Sequence, residues 1–120
     1  MKRWFVCLLL ALGSLSLAQQ ITVYGPSITL SAELRITLVP NLVVVQRFPE
    51  PQGVVVVYQT SRLEPVFGYH DRDLRSRGWQ RVKYEYKKGS YKAEYRRGKG
   101  KARLEVKDKK GRVEVRVKEG

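Results

Sequence analysis

From Ile28 to Leu38 the apolar residues fall on every second position: Ile28, Leu30, Ala32, Leu34, Ile36 and Leu38, with Thr29, Ser31, Glu33, Arg35 and Thr37 between them. Period two predicts a half-buried strand, because successive side chains leave a strand on opposite faces. Ile21 to Tyr24 is a shorter strand candidate set off by Gly25-Pro26, and Pro40-Asn41 closes the long one. Leu42 to Gln46 and Val54 to Gln59 read as a hairpin whose loop is the Pro49-Glu50-Pro51-Gln52-Gly53 cluster. Four consecutive valines, Val54 to Val57, predict a strand covered on both faces near the middle of the sheet.

After Thr60 the period changes to that of a helix. Leu63, Val66, Phe67, His70 and Leu74 stand at i, i+3, i+4, i+7 and i+11, one stripe on one face. Ser61 and Glu64 have the spacing of a capping box, and Pro65 fits the first turn, whose N–H groups are free in any case. An equally good start leaves Glu64 outside and makes Pro65 the first helical residue. Gly78 is the natural stop, in the left-handed position, with Trp79 beyond it turned back onto Leu74.

From Trp79 the alternation returns in four short segments: Val82, Tyr84, Tyr86; Tyr91, Ala93, Tyr95; Ala102, Leu104, Val106; and Val113, Val115, Val117. Lys88-Gly89, Gly98-Lys99-Gly100 and Asp108-Lys109-Lys110-Gly111 separate them, which predicts an antiparallel meander with one apolar face lying on the helix. The expected fold class is therefore α+β: an antiparallel sheet, made of the N-terminal strands plus a C-terminal four-stranded meander, packed against one helix of about residues 62–77.

The run from Val54 to Trp79, with its Val-rich strand, Thr60-Ser61, Phe67-Gly68-Tyr69, Leu74 and Gly78-Trp79, resembles a loosely defined group of small secreted or lipid-anchored bacterial domains. In that group a helix ending in Tyr-x4-Leu-x3-Gly-Trp leads into three or four strands, and the Gly-Trp is a packing corner. The resemblance spans residues 39–117 and implies a fold more than an activity. The chain departs from it in having Gly68 where a second aromatic is expected, and in lacking the lipid-attachment cysteine.

The 120 residues make one domain's worth of chain, and the first 18 read as an address. Lys2-Arg3, the apolar run from Trp4 to Leu12 and the small residues of Ser16-Leu17-Ala18 predict a secretory signal peptide cut after Ala18. As a membrane anchor, Trp4 to Ala18 is short: about 22 Å of helix against a hydrocarbon core of about 30 Å. Cys7, the single cysteine, lies inside this run and leaves with it, so residues 19–120 form a cysteine-free domain without a transmembrane segment. Such a domain depends on its core alone.

Charge separates the two halves of that domain. Residues 79–120 hold 16 basic and 6 acidic side chains, whereas residues 19–78 hold 6 and 5. On the polar parity the meander reads Lys83-Glu85-Lys87, Lys92-Glu94-Arg96, Arg103-Glu105-Lys107 and Arg112-Glu114-Arg116. With the strands in register this predicts a stripe of four glutamates between two basic stripes, a face that neutralises itself. The uncompensated cations lie at the turns, Lys87, Lys88, Lys109 and Lys110 at one end and Arg97, Lys99 and Lys101 at the other. They are candidate anion-binding residues, although lysines at turns also keep sheet edges from pairing. Tyr84, Tyr86, Tyr91 and Tyr95 share the apolar parity, so they are assigned to the face the helix covers, which argues against a base-stacking platform.

No catalytic residue, metal site or cofactor is assigned. His70, the single histidine, has Asp73 three residues on, but a zinc site needs three or four ligands and residues 19–120 contain no further His or Cys. Ser27, Ser31, Ser61, Ser76 and Ser90 lack the strand-turn-helix context of an activated nucleophile, and no Gly-rich loop joins a strand to a helix. The glutamates between cations make poor general acids. The expected function is a non-enzymatic secreted or periplasmic binding module whose partner is an anionic cell-surface polymer or lipid head group. One alternative is an accessory subunit of an envelope complex that docks on a protein partner by a sheet edge. Extracellular nucleic-acid binding is another.

Overall fold

Three tight turns organise the C-terminal half. Lys88 and Gly89 (φ 43° and 74°) and Lys110 and Gly111 (φ 53° and 83°) hold two successive left-handed residues, the geometry whose twist matches that of the strands it joins. The middle turn places Gly98 at φ 58°. These turns link β5 (Gln80–Lys87), β6 (Ser90–Arg97), β7 (Gly100–Lys109) and β8 (Arg112–Glu119) into the antiparallel meander read from the alternation.

The computed structural model describes residues 26–120, so the expected signal peptide and the strand candidate Ile21 to Tyr24 lie outside the described residues. Upstream of the meander come β1 (Ser27–Thr29), β2 (Arg35–Thr37), β3 (Val44–Glu50), β4 (Gly53–Tyr58) and the helix α1 (Leu63–Ser76). β8 returns to pair with β4, which gives a six-stranded antiparallel sheet of order β3-β4-β8-β7-β6-β5; β1 and β2 pair separately. The fold is α+β, as the periodicities predict.

One face of the large sheet is buried under α1 and the β1–β2 hairpin. Val54, Val56 and Tyr58 of β4, Val113, Val115 and Val117 of β8, Ala102, Leu104 and Val106 of β7 and Ala93 and Tyr95 of β6 form a single cluster with the layer above them. That layer supplies Ile28, Leu34, Ile36 and Leu38 from the hairpin, and Val66, Phe67 and Leu74 from the helical stripe. α1 ends as read: Gly78 N–H donates to Arg75 O, Trp79 N–H donates to Leu74 O, and Gly78 sits at φ 94°. Trp79 and Leu74 are both buried in the cluster.

Four expectations are corrected. The alternation from Ile28 to Leu38 is two strands, because the Ser31 hydroxyl accepts the N–H groups of Glu33 and Leu34 and turns the chain, so that Ile28 pairs with Ile36. The turn preserves parity, which is why period two runs through it unbroken. At the start of α1 the N-cap residue is Arg62, without a side-chain cap hydrogen bond, so Ser61 does not form the capping box; Thr60 Oγ1 accepts the Arg62 N–H instead. The β3–β4 loop is shorter than the Pro/Gly cluster suggested, because β3 continues through Pro49, which an edge strand tolerates. β4 lies second in the sheet rather than at its middle, yet Val54 to Val57 are all buried. Val55 and Val57, on the polar side, stand beside Arg116 and Glu114 of β8.

Candidate functional site

Turn length decides which charges meet on the polar face. Two-residue turns pair Lys87 with Ser90 and Arg97 with Gly100, and from there Glu85 falls opposite Lys92, Glu94 opposite Lys83 and Arg103, Glu105 opposite Lys92 and Arg116, and Glu114 opposite Lys107. The expected stripe of glutamates is therefore a checkerboard, each carboxylate offset by two residues from the next strand's and set against a cation. Opposite charges across a strand pair are favourable where like charges repel, so this register lowers the energy of a face that a stripe would strain.

The checkerboard tightens around β8. Arg116 reaches Glu50 of β3 at 2.9 Å, Glu105 at 3.6 Å and Glu114 at 3.9 Å. Glu114, only 5% exposed, also meets Lys107 at 3.6 Å and Lys109 at 3.9 Å. The hydrogen bond to Glu50 raises the pKa of Arg116 further, with the Glu50, Glu114 and Glu105 charges adding to it against the opposing effect of burial. This cluster spans β3, β8 and β7 and leaves its members little charge to offer a partner.

The remaining cations separate into two groups, as the strand geometry requires. Lys87, Lys88, Lys109 and Lys110 lie at the end where the β5–β6 and β7–β8 turns meet, and the Asp108 N–H donates to Gly89 O across them at 3.2 Å. Lys87, Lys88 and Lys110 make no ion pair among the described residues, whereas Lys109 is held by Glu114. Arg97, Lys99 and Lys101 lie at the opposite end, about 25 Å away along eight-residue strands. There the Arg97 guanidinium donates to Glu33 O and sits over the Trp79 ring, and Glu33 lines the same depression as Lys99. The two groups do not merge, and among the described residues neither Lys99 nor Lys101 makes an ion pair.

The tyrosines depart most from the reading. Tyr95 is buried and Tyr91 half-buried, but Tyr84 is 47% and Tyr86 55% exposed, and Val82 is 54% exposed beside a bulge between Arg81 and Lys83. α1 packs over β7 and β2 and barely reaches β5. Parity put Tyr84 and Tyr86 on the correct face, and that face extends beyond its cover. A cluster of rings results, with centroids 4.5 Å apart for Tyr86–Tyr91, 4.8 Å for Phe67–Tyr91 and 5.6 Å for Phe67–Tyr84.

Two buried polar centres fasten the helix over the sheet. Asp71, which lies outside the predicted stripe, accepts from Tyr95 Oη at 2.6 Å and pairs with Arg75 at 3.2 Å and Arg81 at 3.4 Å, so one carboxylate ties α1 to β5 and β6. A charged residue within a helix carries no periodic signal, and only the proximity of Arg81 and Tyr95 explains its burial. His70 is fully buried, and burial pushes its pKa down to about 4. Tyr58 Oη accepts the Val39 N–H at 3.1 Å and lies 2.9 Å from His70 Nε2. His70 Nδ1, by contrast, is buried without a hydrogen-bond partner among the described residues. Burial raises the phenols of Tyr58 and Tyr95, so both stay protonated donors.

Asp73 takes different partners from His70: the Thr37 N–H at 2.7 Å, the Thr37 hydroxyl at 3.1 Å and Arg77 at 3.2 Å, which staples the end of α1 to β2. The His70–Asp73 pair considered from spacing is not formed. Among the described residues no group of three or more His, Cys, Asp or Glu is placed to hold a metal ion, and no helix is long and apolar enough to cross a membrane. No protein-family model, curated protein or solved structure matches the chain, so any functional reading rests on its own geometry.

Proposed function

We propose that the protein is a non-enzymatic binding module of the cell envelope or extracellular space, and that its turn lysines grip an anionic polymer. One observation carries this reading: register sets each glutamate of the polar face against a cation, while Lys87, Lys88 and Lys110 make no ion pair among the described residues and stand at two turns joined by the Asp108–Gly89 hydrogen bond. Point charges clustered in this way attract a polyanion through counterion release, so affinity falls as salt rises.

The test is a titration against polyphosphate and against an anionic polysaccharide at low and raised salt. Binding that weakens steeply with salt, and weakens again in Lys88→Gln/Lys110→Gln, supports the reading; absence of binding at low salt, or salt-insensitive binding, overturns it. The export part of the reading rests on residues 1–18 and is tested separately: the N-terminus of protein recovered from outside the cytoplasm should be Gln19.

Docking by a sheet edge is the second reading, favoured by β5, whose eight residues are all exposed and which among the described residues pairs only with β6. Backbone pairing with a partner strand would depend little on salt. The bulge after Arg81 and the lysines at 83 and 87 oppose it, since both features discourage edge pairing.

A further inference from the structure

Tyr84 and Tyr86 are successive residues on one side of β5, opposite Ala93 and Tyr91 of β6, and both rings are about half exposed. With Tyr91 and Phe67 they form a ledge along the seam between the sheet edge and α1. A groove follows this seam, walled on the helix by Pro65, Gly68 and Arg72 and on the sheet by Arg81, Tyr84 and Tyr91. Its cations are two arginines. Arg72 is on the helix, and Arg81 lies 4.8 Å over the Tyr84 ring while pairing with Asp71. Glu64, also in the wall, is the one carboxylate that faces any anion there.

Gly68 stands in the helix wall of this groove, where a Cβ would lie 3.1 Å from Nη1 of the exposed Arg72 side chain. At its far end the ledge runs into the turn that carries Lys87 and Lys88. Exposed rings, Arg72 and Arg81 thus share one side of one edge with the turn lysines at its end, an arrangement that lets bases stack while phosphates are held.

We propose that this ledge binds single-stranded nucleic acid, with bases stacked on Tyr84 and Tyr86 and phosphates held by Arg72, Arg81 and the lysines of the adjacent turn. The inference rests on the polyanion reading and narrows it. Same-side residues on a strand are about 6.7 Å apart, a spacing that successive bases of an extended strand can match. A duplex keeps its bases stacked internally and has none to offer the rings, and a polyanion without rings gains nothing from the tyrosines.

The experiment is a low-salt anisotropy titration of the protein with three probes: labelled oligo-dT, an abasic strand of the same length and charge, and an anionic polysaccharide. The expected result is that oligo-dT binds on the order of tenfold or more tighter than the abasic strand. Tyr84→Ala/Tyr86→Ala should bring oligo-dT down to the abasic level and leave the salt slope unchanged. Lys88→Gln/Lys110→Gln should flatten that slope by about 0.7 for each phosphate that is no longer neutralised. Unfolding curves of both variants confirm that the fold persists. Equal binding of the two strands overturns the stacking inference and leaves the polyanion reading standing. No binding of either strand or of the polysaccharide overturns both. Tighter, tyrosine-dependent binding of the polysaccharide overturns the assignment to nucleic acid.

Discussion

β8 and β5 are strands of equal length in one meander, each alternating apolar residues with Lys, Arg and Glu, and they end in opposite surroundings. β8 lies between β4 and β7; its valines are buried beneath the covering layer and its Glu114 beneath the charge cluster of the other face. β5 is exposed along its whole length, and its aromatic residues meet solvent and one edge of α1. Alternation determines which side chains share a face. How much of that face is covered depends on the width of the layer above, and one helix with a short hairpin spans the strands from β4 to β6 but not β5.

Removal of a core side chain is the severest test of this contrast. Leu104→Ala, in fully packed β7, should cost about 2–5 kcal/mol in denaturant unfolding, whereas Tyr86→Ala on β5 should cost under about 1 kcal/mol. Comparable losses at the two sites would mean that β5 is covered in solution.

Acid titration examines the covered half through His70. Its folded pKa of about 4 lies below the unfolded value of 6.5, so between these limits the unfolded chain binds a proton that the folded chain refuses. The stabilisation is complete above about pH 6.5, declines as pH falls, and is gone near pH 4, on the order of 3 kcal/mol in all. His70→Gln should remove this slope. A wild-type slope unchanged by the substitution would place the imidazole in contact with water.

Smaller effects separate the two glutamates that occupy matching positions in their strands. Glu114→Gln should cost about 1–2 kcal/mol, because Arg116, Lys107 and Lys109 lose a buried partner. Glu85→Gln on exposed β5 should change stability by less than about 0.5 kcal/mol. Between these, Gly78→Val should cost about 1 kcal/mol or more, since a β-branched residue is strained at φ 94°. Equal costs at Glu85 and Glu114 would show that the checkerboard is uniformly exposed and that β8 is not its centre.

Some of what the linear reading missed was present in the chain. Once Lys88-Gly89, Gly98-Lys99 and Lys110-Gly111 are taken as two-residue turns, the partners of Glu85, Glu94, Glu105 and Glu114 follow from counting back, and the checkerboard replaces the stripe. Ser31 likewise offered a turn-forming hydroxyl within a pattern that looked continuous. Asp71 was legible in no pattern, because its burial depends on Tyr95 and Arg81, residues 24 and 10 positions away. The exposure of Tyr84 and Tyr86 was equally hidden, and with it the candidate stacking ledge.

By itself the sequence determined the elements and most of the faces: the helix and its stop at Gly78, the four meander strands, the shared parity of the apolar residues of β6, β7 and β8, and the concentration of charge beyond Trp79. These follow from local rules, the period of side chains along a backbone and the few residues that accept a left-handed turn. Tertiary structure alone decided that β8 inserts beside β4, that the β1–β2 hairpin shares the cover with α1, and that this cover stops short of β5. Coverage is a property of layers packed across the chain, so similar alternation can bury one strand and leave another exposed.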